Sequence, residues 1–219
     1  MKKIKILVII CIILIGILAI KVFVSNKDTG SYSKEDIINL LEKGEKYNNY
    51  YCKYNFFEDN NEEIVRYVKN EKQRVIGKDL IVYIDSKHNK KLVLKPSTKT
   101  GVEMKLDSKA SLESIDNYLS VYFDELKDNE NIFKFKGREK INDFECIIVE
   151  LTFDKDKGYN YNKRRILIDT KTGLVVKTVF YDVNDNILYT VDYNLKLDSV
   201  SDSDVEIPNL NEFNITNIE

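Results

Sequence analysis

Residues equipped for chemistry are few in this chain, and they do not cluster. The one histidine, His88, stands in "DSKHNKK", a turn-like stretch whose neighbours mark a solvated hairpin tip. A zinc centre needs three or four nitrogen or sulfur ligands, which one histidine and two separated thiols do not supply. No G-x-S-x-G, H-E-x-x-H, P-loop or G-x-G-x-x-G occurs. Acidic pairs such as Glu62-Glu63 and Asp124-Glu125 read as solvated surface in a chain that is 32% charged. A general acid and base would need environments that drive their pKa values apart. "DSVSDSDVE" has the oxygens of a calcium loop without its glycine or its twelve-residue spacing. The expectation is a protein with no catalytic residue, no metal and no cofactor.

What remains is aromatic. Fourteen Tyr and ten Phe mostly serve packing, but exposed tyrosine also makes protein-binding surfaces. "DKGYNYNKRR" sets Tyr159 and Tyr161 beside Lys163, Arg164 and Arg165. Its plain reading is a polar loop. Its functional reading makes Tyr159, Tyr161, Arg164 and Arg165 a contact point for a partner.

These residues are positioned first by the N-terminus. Lys2, Lys3 and Lys5 precede an apolar run from Ile6 through Ile20 to Val24, interrupted only by Lys21. As a helix it rises about 28 Å, close to a hydrocarbon core of about 30 Å. Three fates are open: an anchor, a cleaved leader, or a lipoprotein leader built on Cys11. Val24-Ser25-Asn26 is a poor cleavage site, and Cys11 follows Ile9 and Ile10 where a small residue is required. The expectation is therefore an uncleaved transmembrane anchor over 1–25, a linker over 26–32 and one domain over 33–219. The lysines keep the N-terminus in the cytoplasm and the domain outside. Without the leader's four lysines, 30 basic residues face 36 acidic ones, a net charge of −6. Such a domain repels nucleic acid.

Ser33 caps a helix whose stripe is Ile37, Ile38, Leu40 and Leu41. From Tyr47 the period switches to two, in short runs rich in Val, Ile, Tyr and Phe separated by turn compositions. "SLESIDNYLSVYFDELKDN" interrupts them. Its residues Leu112, Ile115, Leu119, Tyr122, Phe123 and Leu126 recur at three and four, predicting a helix over 111–127. "DTKTG" and "DVNDN" then divide a three-stranded meander, and the final residues read as an edge strand or a loose tail. About ten to eleven strands and two helices without alternation predict an α+β domain with one curved antiparallel sheet. The 111–127 helix plugs its concave face. Alternation puts Cys52 with the apolar face of "YYCKYNFF" but Cys146 opposite the apolar face of "CIIVELTF". The two therefore fall on different faces, which argues against the disulfide that an extracytoplasmic pair suggests.

The stretch from Gly137 to Tyr193 resembles the second half of the LolA/LolB-like superfamily of lipoprotein-sorting proteins. The matching residues are Gly137, Glu139, Cys146, Ile168, Asp169, Thr172, Gly173, Leu174, Tyr181, Asp182 and Asn186. The resemblance implies an unclosed antiparallel β-barrel with helices packed in its mouth. Within the superfamily, size, composition and membrane signal most resemble the GerS family of clostridial germination lipoproteins, although the lipobox is missing. That likeness implies a non-catalytic, membrane-anchored protein of sporulation and germination. It would bind and activate a spore-cortex N-acetylmuramoyl-L-alanine amidase of the CwlD type, in the space around the forespore. The alternative is a carrier or sensor of lipoprotein or acyl chains in the half-barrel. Strand exchange between two half-barrels makes a homodimer a further expectation.

Overall fold

The computed structural model describes residues 31–56, 62–106, 119–128, 132–153 and 160–218. The expected anchor, with Ile6, Ile20 and Val24, lies outside the described residues. Among these, no helix is long and apolar enough to cross a membrane. Residues 34–219 form one compact unit.

Helix α1 spans Lys34–Glu45, with Glu35 and Asp36 in its first turn and Lys43 in its last, charges that oppose the helix dipole. Its buried residues are Ile37, Leu41 and Gly44. Strands β1 (Asn49–Phe56), β2 (Glu62–Lys69), β3 (Lys72–Ile76), β4 (Ile81–Asp85), β5 (Lys90–Lys95) and β6 (Thr100–Lys105) follow. Helix α2 (Ser120–Lys127) precedes β7 (Ile132–Ile141), β8 (Phe144–Thr152), β9 (Lys163–Asp169), β10 (Val175–Tyr181), β11 (Ile187–Asp192), β12 (Asn194–Leu197) and β13 (Asn214–Ile218). Leu112 and Ile115, expected in the second helix, lie outside the described residues.

The strands pair as two sheets where the sequence suggested one. Eight run in the order β12-β1-β2-β3-β4-β5-β6-β13 and five in the order β11-β10-β9-β8-β7. The sheets share a run of chain, because only Tyr193 separates β11 from β12. Before it the chain pairs with β10, and after it with β1. The C-terminal residues, expected as an edge strand or loose tail, form β13 parallel to β6. The run leading into β13 lays Ile207, Leu210, Phe213 and Ile215 against Tyr83, Leu92 and Leu94.

Register sorts the residues of each sheet into two faces. In the eight-stranded sheet the inner face carries Tyr50, Cys52, Tyr54, Ile64, Val68, Val75, Val82 and Val93, all buried. In the five-stranded sheet the inner face carries Ile147, Val149, Leu151, Ile166, Ile168 and Thr178. Cys52 thus lies on an inner face and Cys146, paired with Asp169, on the outer one. The two lie on different faces, as alternation predicted, and both are buried and free. Burial pushes each thiol up to about 12, so neither is a nucleophile at neutral pH.

Candidate functional site

Leu119, just before helix α2, and Tyr122, Phe123 and Leu126 on it are buried in the core. Each such burial is worth about 1.5–3 kcal/mol. Polar contacts fix its position. The Tyr122 hydroxyl lies 2.9 Å from Thr178 Oγ1 and 2.8 Å from the Tyr193 hydroxyl. Glu125 Oε2 lies 2.7 Å from an Arg164 guanidinium nitrogen, with both side chains buried. Arg164 also donates to the Tyr161 hydroxyl at 2.6 Å. Its guanidinium carbon stands 4.7 Å from the Phe180 centroid, 5.2 Å from Tyr161, 5.4 Å from Tyr122 and 5.9 Å from Phe153. Burial works against this charge, but Glu125 and the tyrosines outweigh it and hold the Arg164 pKa above its ordinary value.

This geometry corrects one expectation. Tyr161 and Arg164 are buried, so they are a core clamp for α2 and offer nothing to a partner. Tyr159 lies outside the described residues. Of the four expected contact residues, Arg165 does stand on the outer face, where it donates to Glu150 Oε2 at 2.9 Å.

The outer face of the five-stranded sheet supplies a surface that the sequence did not disclose. Register aligns Ile132, Thr152, Lys163, Tyr181 and Ile187 in one row across all five strands. Among the described residues, four of the five exposed large hydrophobics lie in this row, in the adjoining turn or next to the row on β11: Ile132, Val183, Ile187 and Leu188. Tyr181 is roofed by Lys163 Nζ at 4.5 Å and Arg165 at 5.3 Å. Lys136 and Arg165 both hold Glu150. Burial alone would raise the Glu150 pKa, yet these cations keep it below the ordinary carboxylate range. The result is an apolar rim set in charged residues, the composition of a protein-binding patch. One local signal marks it: Ile187 and Leu188 are consecutive apolar residues where alternation calls for one polar, and Leu188 sits at a β-bulge.

His88 is exposed, with Nδ1 2.8 Å from Asp85 Oδ2, as expected for a turn residue. Among the described residues no group of three His, Cys, Asp or Glu side chains is placed to hold a metal ion.

A family model described only as an uncharacterized protein matches residues 120–209. No curated protein matches the chain. An uncharacterized conserved protein from Thermus thermophilus is similar in structure at 11% identity and a TM-score of 0.52, over 85% of this chain and 100% of its own. MucB is similar at 12% identity and a TM-score of 0.53, over 82% of this chain and 64% of MucB. MucB of Pseudomonas aeruginosa has also been solved in a complex with MucA. At these identities the likeness establishes a shared fold. The complex of the CwlD amidase from Clostridioides difficile with the GerS lipoprotein also matches, at 18% identity over 76% of this chain and 96% of that one. Its TM-score of 0.25 is too low to place any residue.

Several residues behind the LolA-like resemblance have structural work to do. Asp169 Oδ2 accepts from the Thr172 amide and hydroxyl at 2.8 and 2.7 Å, closing the β9–β10 turn. Gly173 has φ +80, and a Cβ there would collide with the Leu40 carbonyl of α1. Asp182 Oδ1 accepts from the Asn184 and Asn186 amides at 2.8 Å each, closing the β10–β11 turn. Gly137, with φ +124, stands at the β7 bulge. These residues build turns, and therefore they report fold and not function.

Proposed function

We propose that this chain is a non-catalytic docking protein, anchored in the membrane by residues 1–25, whose domain binds and activates a cell-wall amidase. The observation that carries the reading is the exposure of Ile132, Val183, Ile187 and Leu188 at one end of the five-stranded sheet. A monomer gains nothing by gathering most of the large hydrophobics exposed among the described residues at one end of one sheet. The shared fold with MucB, a protein solved with a protein partner, is consistent with docking as its use. The choice of a CwlD-type amidase, and of sporulation and germination as its setting, comes from the sequence resemblance. Tethering would raise the local concentration of both partners at the membrane.

The alternative, an acyl-chain carrier, is disfavoured by Leu119 and by α2, whose Tyr122, Phe123 and Leu126 join it on the inner face.

The test is the full-length chain in detergent micelles, mixed with the amidase. Binding at micromolar concentrations and faster release of peptide stems from peptidoglycan are expected. Ile187→Asp combined with Leu188→Asp should weaken both at least tenfold. An amidase that neither binds nor responds contradicts the proposal. Saturable uptake of a fluorescent fatty acid would favour the carrier instead.

A further inference from the structure

The shared strand β11–β12 leaves a split in the wall of the half-barrel. β12 pairs with β1 as far as the rung Lys53↔Asn194. In an antiparallel ladder every second pair exchanges both backbone hydrogen bonds. The Asp198 amide donates to the Asn49 carbonyl, so the bonded rungs of this ladder fall at 49, 51 and 53 of β1. The next bonded rung would join Asn55 to Asp192, and among the described residues the ladder stops before it. On the other side, the Tyr193 amide donates to the Val176 carbonyl, so Tyr193, Val191 and Tyr189 face β10. The backbone groups of Thr190 and Asp192 therefore point away from β10 and into the split. A cleft of about 270 Å³ occupies it, lined by Lys53, Tyr54, Asn55, Thr190, Asp192 and Asn194.

Two other strand edges are guarded. β7 carries exposed Lys134, Lys136, Arg138 and Lys140 along its length and is bent by a bulge at Gly137. β13 is five residues long and bears Asn214, Thr216 and Asn217. β11, "ILYTVD", is β-branched and aromatic, has no lysine or proline, and has its one irregularity at the far end beside Phe180 and Tyr181. Its start is the exposed pair Ile187 and Leu188. Its own exposed charges are acidic: Asp192 and Asp185 are 71% and 75% exposed, while their partners Lys177 and Lys163 are 33% and 13% exposed, and Lys53 across the cleft is held by Glu63.

We propose that the open edge of β11 accepts an extended segment of a partner polypeptide as an added strand. The segment hydrogen-bonds to the backbone of Thr190 and Asp192, sets apolar side chains against Ile187 and Leu188, and brings a basic residue to Asp192. This deepens the docking reading, because β11 runs from the exposed rim into the split.

The probe is a peptide of alternating Val and Thr with a Lys at each end, compared with the same peptide carrying a central Pro. Amide hydrogen exchange is followed residue by residue in the full chain. In the free monomer the Thr190 and Asp192 amides should exchange at least a hundredfold faster than those of Val191 and Tyr193. Millimolar peptide should slow Thr190 and Asp192 at least tenfold, the Pro peptide should not, and Thr190→Pro should abolish binding. A proline on the open side of an edge strand removes no internal hydrogen bond, so this variant should keep its circular dichroism spectrum. Slow exchange at Thr190 and Asp192 in the free monomer overturns the proposal, as does peptide binding that leaves them unprotected, or no binding at all. Protection that appears only as the chain self-associates assigns the edge to a second copy and overturns it too. An amidase that binds without protecting Thr190 would sink strand addition and leave the docking reading in place.

Discussion

The two sheets treat their outer faces differently. On the eight-stranded sheet, Tyr83, Leu92 and Leu94 are covered by Ile207, Leu210, Phe213 and Ile215 from the C-terminal run. On the five-stranded sheet the equivalent surface is roofed by Lys163, Arg165 and Lys136 and ends in exposed Ile132, Val183, Ile187 and Leu188. One chain thus buries apolar residues on one outer face with its own segment and leaves apolar residues bare on the other. A covered face should answer mutation with lost stability. A bare one should answer with lost binding.

The largest effect should come from neither face but from the clamp between them. Arg164→Met alone leaves Glu125 buried without its cation and should destabilise by about 3–5 kcal/mol in urea unfolding. Arg164→Met with Glu125→Leu should recover most of that loss, because paired apolar replacements often match a buried ion pair. Failure to recover would mean that the pair does more than hold α2 in place.

Leu92→Ala, on the covered face at 0% exposure, should cost about 2–5 kcal/mol by leaving a cavity under the C-terminal run. Gly173→Ala should follow, because a methyl group there meets the backbone of α1 at a positive φ. A drop in Tm, with exposure of the α1 amides to hydrogen exchange, is expected. An unchanged Tm would mean that α1 does not rest on the β9–β10 turn.

Glu150 should set part of the acid limit of stability. Its folded pKa is depressed by Arg165 and Lys136, so its contribution is full above the unfolded carboxylate value of about 4.3. That contribution is lost as pH falls through the lower, folded value. Glu150→Gln should therefore lower stability at pH 7 and flatten its pH dependence below about pH 5. At the bottom of the scale, Ile187→Ala should change stability by no more than about 0.5 kcal/mol, since nothing packs over it. The comparison breaks if Ile187→Ala unfolds the protein or Leu92→Ala leaves it intact.

Much of the fold was legible because it is local. The stripes of α1 and α2, the alternation of the strands and the turns at Asp169–Gly173 and Asp182–Asn186 all lie within a few residues of one another. Alternation also separated Cys52 from Cys146. What escaped was non-local. Arg164 looks like a surface cation within "NKRR", and only its meeting with Glu125, far away in sequence, turns it inward. Tyr193 carries no local mark of the switch between sheets. The parallel pairing of β13 with β6 is a long-range contact that strand patterning does not encode. The rim was hidden for the same reason, because Ile132 and Ile187, on opposite edge strands, fall in one row only through the register of five strands.

The central claim is that the exposed rim of the five-stranded sheet is the docking surface. Hydrogen exchange of the full chain with and without saturating amidase tests it most directly. The account predicts slowed exchange in segments around 132, 181–188 and 190–192, with no change over 205–215. Protection confined to the C-terminal run, or to the β2–β5 strands beneath it, would contradict it.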